Sequence, residues 1–322
     1  MRLDLPIRAA AGEEWSATAG EAHLAERMIA CCGQVPRRTS RLMQMAQLGA
    51  QACIEQAYSP PLPSTLGVLF STSHGNVAET VRMMHGALET HQAPMPFDFI
   101  NVSNNLAPFH VAQTLGIEAG ANLMVSRGIH SFIAALEIAL LEPDQPWLIG
   151  VAEACAWPLA THRRRLRLAD EVDELAEATY WVWLDPACRE APLGRLQGLF
   201  YCATLDDLQS EMAVLSAPES PLSESPSSAG RSAGDLGDPA VAWLALGSGL
   251  DLQQRTALLQ GGVGGSGGEA QLWSPPGSGF HPAIVARQLC SFLLDGRRGD
   301  RLLFCDYDST RAAWLLVALQ KT

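Results

Sequence analysis

Residues 121–132 read Ala121-Asn122-Leu123-Met124-Val125-Ser126-Arg127-Gly128-Ile129-His130-Ser131-Phe132, and this stretch decides the fold. It reads as a β-strand, a sharp turn and the start of an apolar helix that continues from Ile133 to Leu141. A side chain held at such a bend sits at a helix N-terminus, where the dipole and free N–H groups stabilise a thiolate or an oxyanion. Many enzymes present a nucleophile in this way. Here the bend carries Ile129, which has no proton to lose and no lone pair to attack with. The frame of a catalytic elbow is present without its catalytic atom.

The segment resembles the active-site strand of β-ketoacyl synthases, which typically reads Asn-Leu-x-Val-Ser-Thr-Ala-Cys-x-Ser-Gly. Asn122, Leu123, Val125, Ser126 and Ser131 fall on matching positions, and Ile129 falls on the nucleophilic cysteine. The resemblance continues in order along the chain. Residues 36–46 look like the family's early helix, with Ser40 as a cap and apolar residues at Leu42, Met45, Ala46, Gly49 and Cys53, a helical period with one buried face. Residues 65–72 read as a buried strand, and 96–102 with 104–107 resemble the loop and helix before the elbow. Residues 147–154 are similar to the family's strand ending Gly-Gly-Ala-Glu-Ala, and 179–184 form a further strand.

In the second half, residues 243–251 resemble the family's Ala-His-Gly-Thr-Gly-Thr-Pro-x-Asp run, with Leu246 in the place of the first catalytic histidine. Residues 279–283 resemble the second histidine motif, so that His281 would be retained. Residues 303–310 stand where a Gly-Phe-Gly-Gly-Thr-Asn turn belongs, with Tyr307 on the gating phenylalanine and most glycines gone. The resemblance implies an α/β fold: a thiolase-like layered sandwich of two mixed five-stranded sheets with buried helices. Residues 1–185 would form the first half and 186–322 a shortened second half. The helices over 131–141 and near 282–294 are apolar nearly all round, as helices between two sheets must be.

Claisen condensation needs a thiolate to hold the growing acyl chain and two histidines to stabilise the enolate and oxyanion as malonyl loses CO₂. Ile129 removes the covalent step and Leu246 one charge stabiliser, so condensation by this chain alone is not expected. Enzymes of this family are two-fold dimers in which the strand before the elbow pairs with its mate. The resemblance is therefore to chain-length factors, the nucleophile-free subunits of aromatic polyketide and aryl-polyene ketosynthases. It implies a catalytically complete ketosynthase and an acyl carrier protein as partners, with no catalytic residue and no cofactor. Phe97, Phe99 and Phe109 would offer bulk to a tunnel wall over 96–112, with Val125 and Ser126 on the pairing strand; alternatively the phenylalanines fill this chain's own core. Two other functions stay open: a malonyl decarboxylase or acyl transferase using His281, and a stand-alone acyl-binding homodimer.

Composition suits this reading. The 322 residues are 48% hydrophobic and 17% charged, enough for an ample core, and no run reaches the eighteen or so apolar residues of a membrane span. The first residues lack the apolar core of a signal peptide and read as the start of a strand, which makes the cytoplasm the expected compartment. Eight cysteines without a Cys-x-x-Cys pair suggest neither zinc nor a disulfide framework. The net charge of −12 argues against nucleic acid. Arg163, Arg164, Arg165 and Arg167 make one basic run, read either as a solvated face or as a docking spot for an acidic carrier protein. Residues 216–239 and 261–268 read as connections, poor in apolar side chains. His130 is read as structural, because its side chain diverges from that of Ile129. His74 and His110 have no second ligand spaced to bind metal, and neither Ser126 nor Ser131 has an identifiable base.

Overall fold

The computed structural model describes residues 2–57, 61–168, 174–216, 241–260, 271–277 and 279–322. Of the stretches expected to be connections, 216–239 and 261–268, Ser216 instead ends a helix, and 217–239 and 261–268 lie outside the described residues.

The first half runs β1 (Arg2–Ser16), α1 (Gly20–Cys32), α2 (Arg41–Gln56), β2 (Gly67–Ser71), α3 (Val77–Leu88), α4 (Pro96–Asn101), α5 (Leu106–Leu115), β3 (Asn122–Val125), α6 (Ser131–Ala139), β4 (Trp147–Glu153), α7 (Leu159–Arg165) and β5 (Ala176–Leu184). The second runs β6 (Gly194–Cys202), α8 (Leu205–Ser216), β7 (Ala242–Leu246), α9 (Leu252–Gln260), β8 (Gln271–Leu272), α10 (Ile284–Asp295), β9 (Arg301–Asp308) and β10 (Ala313–Lys321). Ser40 caps α2 as expected, its side chain accepting from the Met43 N–H at 3.3 Å.

The strand order is β3-β2-β4-β5-β1-β6-β10-β9-β7-β8. Read outward from the centre, the two groups of five follow the same path, with β1 matched to β6, β5 to β10, β4 to β9, β2 to β7 and β3 to β8. The directions match too: β2 pairs parallel with β3 and β4, β7 parallel with β8 and β9, and the remaining pairs within each half are antiparallel. The chain is thus a structural repeat of two mixed five-stranded halves. One detail departs from two separate sheets. The fifteen-residue β1 also pairs antiparallel with β6 over Arg2 to Ile7, so the hydrogen-bonded ladder is continuous across the seam.

Three apolar clusters show how the layers stack. Val68, Phe70, Leu148, Trp181 and Trp183 face α1, α2 and α5 on one side of the first half. The alternate residues Leu69, Ile149, Val151 and Val182 face the other way, onto α6 and α10. Leu302, Phe304, Leu315 and Val317 from the second half reach the same two helices, while Leu303, Cys305 and Leu316 pack with residues of α8 and α9. Both halves cover α6 and α10, so the sheet folds over them at the seam. This is the layered sandwich with buried central helices that the sequence implied. Strands β2, β4 and β5 are buried along their whole length, which explains their nearly continuous apolar character. At Gly150 in β4 a Cβ atom would lie 2.0 Å from the Trp181 ring, so the closest inter-strand packing requires glycine there.

Candidate functional site

The elbow forms where the sequence placed it. β3 is the edge strand of the first half, and the chain turns through Gly128 at φ +55° before α6 begins at Ser131. Ile129 occupies the bend. The Ser131 Oγ accepts from the Arg127 N–H at 2.7 Å and lies 2.6 Å from the Gly128 carbonyl and 3.0 Å from that of Thr72. The Ser73 hydroxyl also donates to the Gly128 carbonyl, at 2.8 Å, and ties the bend to the loop after β2. Both serines are occupied in holding the turn.

The space behind the bend holds a network of charged groups. Asp306, wholly buried, accepts the Gly249 N–H at 2.8 Å and the Tyr307 N–H at 2.9 Å, and its other oxygen lies 3.1 Å from His130 Nε2. Asp308 accepts the Thr310 N–H at 3.0 Å and hydroxyl at 2.6 Å, and pairs with the Arg127 guanidinium. Arg127 also reaches Glu137 at 3.2 Å, and Glu137 pairs with Arg311, which lies 4.3 Å over the Tyr201 ring. His130 Nδ1 faces Asp308 at 4.0 Å. A carboxylate thus lies on either side of the His130 ring. His130 ties segments together, the structural role read from the sequence. Gly247 and Gly249 make room for this hub, since a Cβ at Gly247 would lie 2.1 Å from the Asp306 carboxyl carbon.

These acids are the part of the site that the sequence reading missed. Of residues 303–310, compared there with a glycine-rich turn, 303–308 instead complete β9 and carry Asp306 and Asp308 at its carboxyl end, and the turn begins only at Ser309. The available signal was an i, i+2 pair of carboxylates at the end of an otherwise apolar strand, which period two places on one face.

A second buried acid lies beside the elbow. Glu153, at the end of β4, accepts the Ser73 N–H at 2.5 Å and the Thr72 hydroxyl at 3.3 Å. Burial pushes its carboxyl up to about 7, against the opposing effect of these hydrogen bonds. His162 is driven down to about 4 and His74 is lowered, by burial first and then by the nearby Arg165 charge. The folded chain therefore keeps a proton on Glu153 between pH 4.5 and about 7 that the unfolded chain releases. That contribution is complete below pH 4.5 and is lost as the pH rises through about 7. Glu153→Gln should remove the decline, worth about 3 kcal/mol over the interval. Urea midpoints of both proteins across pH 5–8 check it: parallel curves would refute it.

The other predicted residues fall in different surroundings. His281 is wholly buried, with Nε2 2.8 Å from Glu14 Oε2 and its ring 5.8 Å from Tyr180; among the described residues Nδ1 has no hydrogen-bond partner. Burial lowers its pKa. Leu246 packs with the cluster that contains residues of α8 and α9 rather than with the central one. Phe97, Phe99 and Phe109 are 41%, 57% and 51% exposed, so they do not fill this chain's own core. Arg38 lies over the Phe97 ring at 4.3 Å. Val125 is half-buried against the central cluster and Ser126 is exposed, at the end of β3. Arg163, Arg164 and Arg165 form the last turn of α7, and Arg167 follows it. A groove of about 1120 Å³ opens between α3 and the segment Cys155–Pro158. Among the described residues, all eight cysteines are free, no cluster could hold a metal ion, and no helix is long and apolar enough to cross a membrane.

No family model matches the chain, and no curated protein is similar to it in sequence. Solved structures do match over its whole length. The ishigamide ketosynthase/chain length factor is 14% identical, covers 99% of each chain and superposes with a TM-score of 0.62. A type II polyketide synthase ketosynthase bound to the hexaketide, in complex with its acyl-carrier protein (AntDE:AntF), is 11% identical, with coverage of 99% of this chain and 100% of that one and a TM-score of 0.66. The PfaC ketosynthase–chain length factor is 11% identical at a TM-score of 0.62, spanning 100% of this chain and 43% of that one. The fold is that of the thiolase-like ketosynthases and chain-length factors.

Proposed function

We propose that this chain is a non-catalytic ketosynthase-like subunit, a chain-length factor, that pairs with a catalytically complete ketosynthase and shapes its acyl tunnel. The observation that carries the reading is an elbow with Ile129 at its bend, following β3, whose outer edge is unpaired among the described residues. An elbow without a nucleophile serves no acyl transfer of its own. An unpaired strand edge that carries the exposed Leu123 calls for a protein partner, and the exposed Phe97, Phe99 and Phe109 add further apolar surface. The structural neighbours include ketosynthase–chain length factor structures and a ketosynthase with its acyl-carrier protein, which supports the same partners here. In this reading Val125 and Ser126 lie at the subunit interface and Leu246 stands where an active subunit has a histidine. His281, sealed beneath Glu14 and Tyr180, helps to hold the central layer. The arginines of α7 face an acidic carrier protein, against the chain's net charge of −12.

The test is co-expression with a catalytically complete ketosynthase from the same organism, followed by size-exclusion chromatography and mass analysis of the products. A stable one-to-one complex is expected. Phe109→Ala in that complex should lengthen the product by opening the tunnel end. If the ketosynthase makes identical products without this chain and the two never co-purify, the proposal fails.

A further inference from the structure

A loop holds the elbow, and one carboxyl group holds the loop. Residues 72–75 follow β2 and touch the elbow three times. The Thr72 N–H donates to the Val125 carbonyl at 3.2 Å, the Ser131 hydroxyl lies 3.0 Å from the Thr72 carbonyl, and the Ser73 hydroxyl donates to the Gly128 carbonyl at 2.8 Å. Behind the loop, one oxygen of Glu153 accepts the Ser73 N–H and the other lies 3.3 Å from the Thr72 hydroxyl. The second half has a similar clamp on the matched strands: Asp306, near the end of β9, accepts the Gly249 N–H from the loop after β7. The two clamps differ in one respect. Asp306 has His130 at 3.1 Å, whereas among the described residues Glu153 forms no ion pair.

The surroundings of Glu153 suit a neutral carboxyl. The loop brings His74, α7 brings His162 and Arg165, and the segment after β4 brings Cys155, whose neighbour Glu177 is already paired with Arg41. His74, His162 and Glu153 line a cavity of about 10 Å³, room for a single water, and His162 Nδ1 has no hydrogen-bond partner among the described residues. Burial and then the Arg165 charge lower the proton affinity of both histidines, so neither offers a counter-charge near neutral pH. A protonated Glu153 keeps both of its contacts: one oxygen retains the Ser73 N–H, and the Thr72 hydroxyl can turn to accept from the other. An ionised Glu153 is a buried charge without a partner, and one water does not hydrate it. Relief requires more water. Strand β4 is paired along both edges and cannot give way, whereas Ser73 and His74 of the loop are only half-buried.

We propose that Glu153 is a proton-operated latch on the elbow: the protonated carboxyl holds residues 72–75 against the bend, and the ionised one releases them. The switch point lies at about pH 7, where burial places this carboxyl. Every contact of the latch lies within one chain, so it stands apart from the paired-subunit reading above.

Amide hydrogen exchange of the isolated full chain, from about pH 6 to about pH 8.5, tests it, read as protection factors so that the intrinsic pH dependence of exchange cancels. Protection at Ser73, Arg127 and Ser131 should fall about tenfold or more across that range, roughly one power of ten for each pH unit above the switch point. Leu193 and Lys321, whose amides are bonded at the opposite end of the sheet, should change much less. Glu153→Gln keeps an acceptor for Ser73 and cannot ionise, so its loop should stay protected at every pH. Constant protection in the wild-type chain overturns the latch, and so does a fall shared equally by Leu193 and Lys321, which would be a loosening of the whole fold. A fall that persists in Glu153→Gln also overturns it; if His162→Gln then abolishes that fall, the proton belongs to the histidine. Should the glutamine variant fail to fold, the side-chain carboxyl ¹³C shift of Glu153 in the wild-type chain decides. Its titration must share a midpoint with the loss of protection, and two separate midpoints would overturn the proposal.

Discussion

Asp306→Ala is expected to destabilise the folded chain by about 3–5 kcal/mol, the largest single-residue effect around the elbow. The carboxylate is wholly buried and joins three segments that are distant in sequence: the bend through His130, the loop after β7 through the Gly249 N–H, and the end of β9 through the Tyr307 N–H. Its removal leaves two backbone donors unsatisfied and a buried histidine facing only Asp308. Asp306→Asn keeps an acceptor for Gly249 and Tyr307, so it should lose clearly less. Denaturant midpoints of the two variants separate these outcomes. A loss below about 1 kcal/mol for the alanine variant would mean that the hub does not hold the elbow.

Ile129→Cys is expected to leave the isolated chain without condensing activity, orders of magnitude below a ketosynthase. The substitution restores a thiol at the bend but not the groups that stabilise developing charge. Leu246 packs with the cluster that includes residues of α8 and α9, and His281 is committed to Glu14 in the core. The charged groups around the bend are committed to one another, Asp306 to His130, Asp308 and Glu137 to Arg127, and Glu137 also to Arg311. Each missing oxyanion donor costs about 10²–10³ in rate. Incubation with acyl- and malonyl-loaded carrier protein checks this. Acylation of Cys at position 129 without CO₂ release is compatible with the expectation. Turnover to a β-ketoacyl product is not, and it would show that the site retains a complete condensing apparatus.

The strand–turn–helix at 121–132 was legible in the sequence because each part is local. Alternating or continuous apolar residues select strands, a helical period selects α2, and all-round apolarity places α6 and α10 between layers. Ile129 at the bend is likewise a fact of the sequence alone. The exposure of Phe97, Phe99 and Phe109 was not, since an aromatic residue reads the same whether it fills a core or awaits a partner.

The tertiary structure decided what depends on neighbours that are far apart in the chain. His130 and Asp306 are 176 positions apart, and no local pattern links them. Their contact exists because β9 in the second half brings its carboxyl end against the elbow of the first. The elevated proton affinity of Glu153 arises in the same way, from burial that only the assembled layers provide. The seam between β1 and β6 follows from the length of β1, which outruns β5 and offers its free edge to the second half. Periodicity is written residue by residue and survives in the sequence. Proximity between distant segments is created only when two repeats of five strands close over a shared pair of helices.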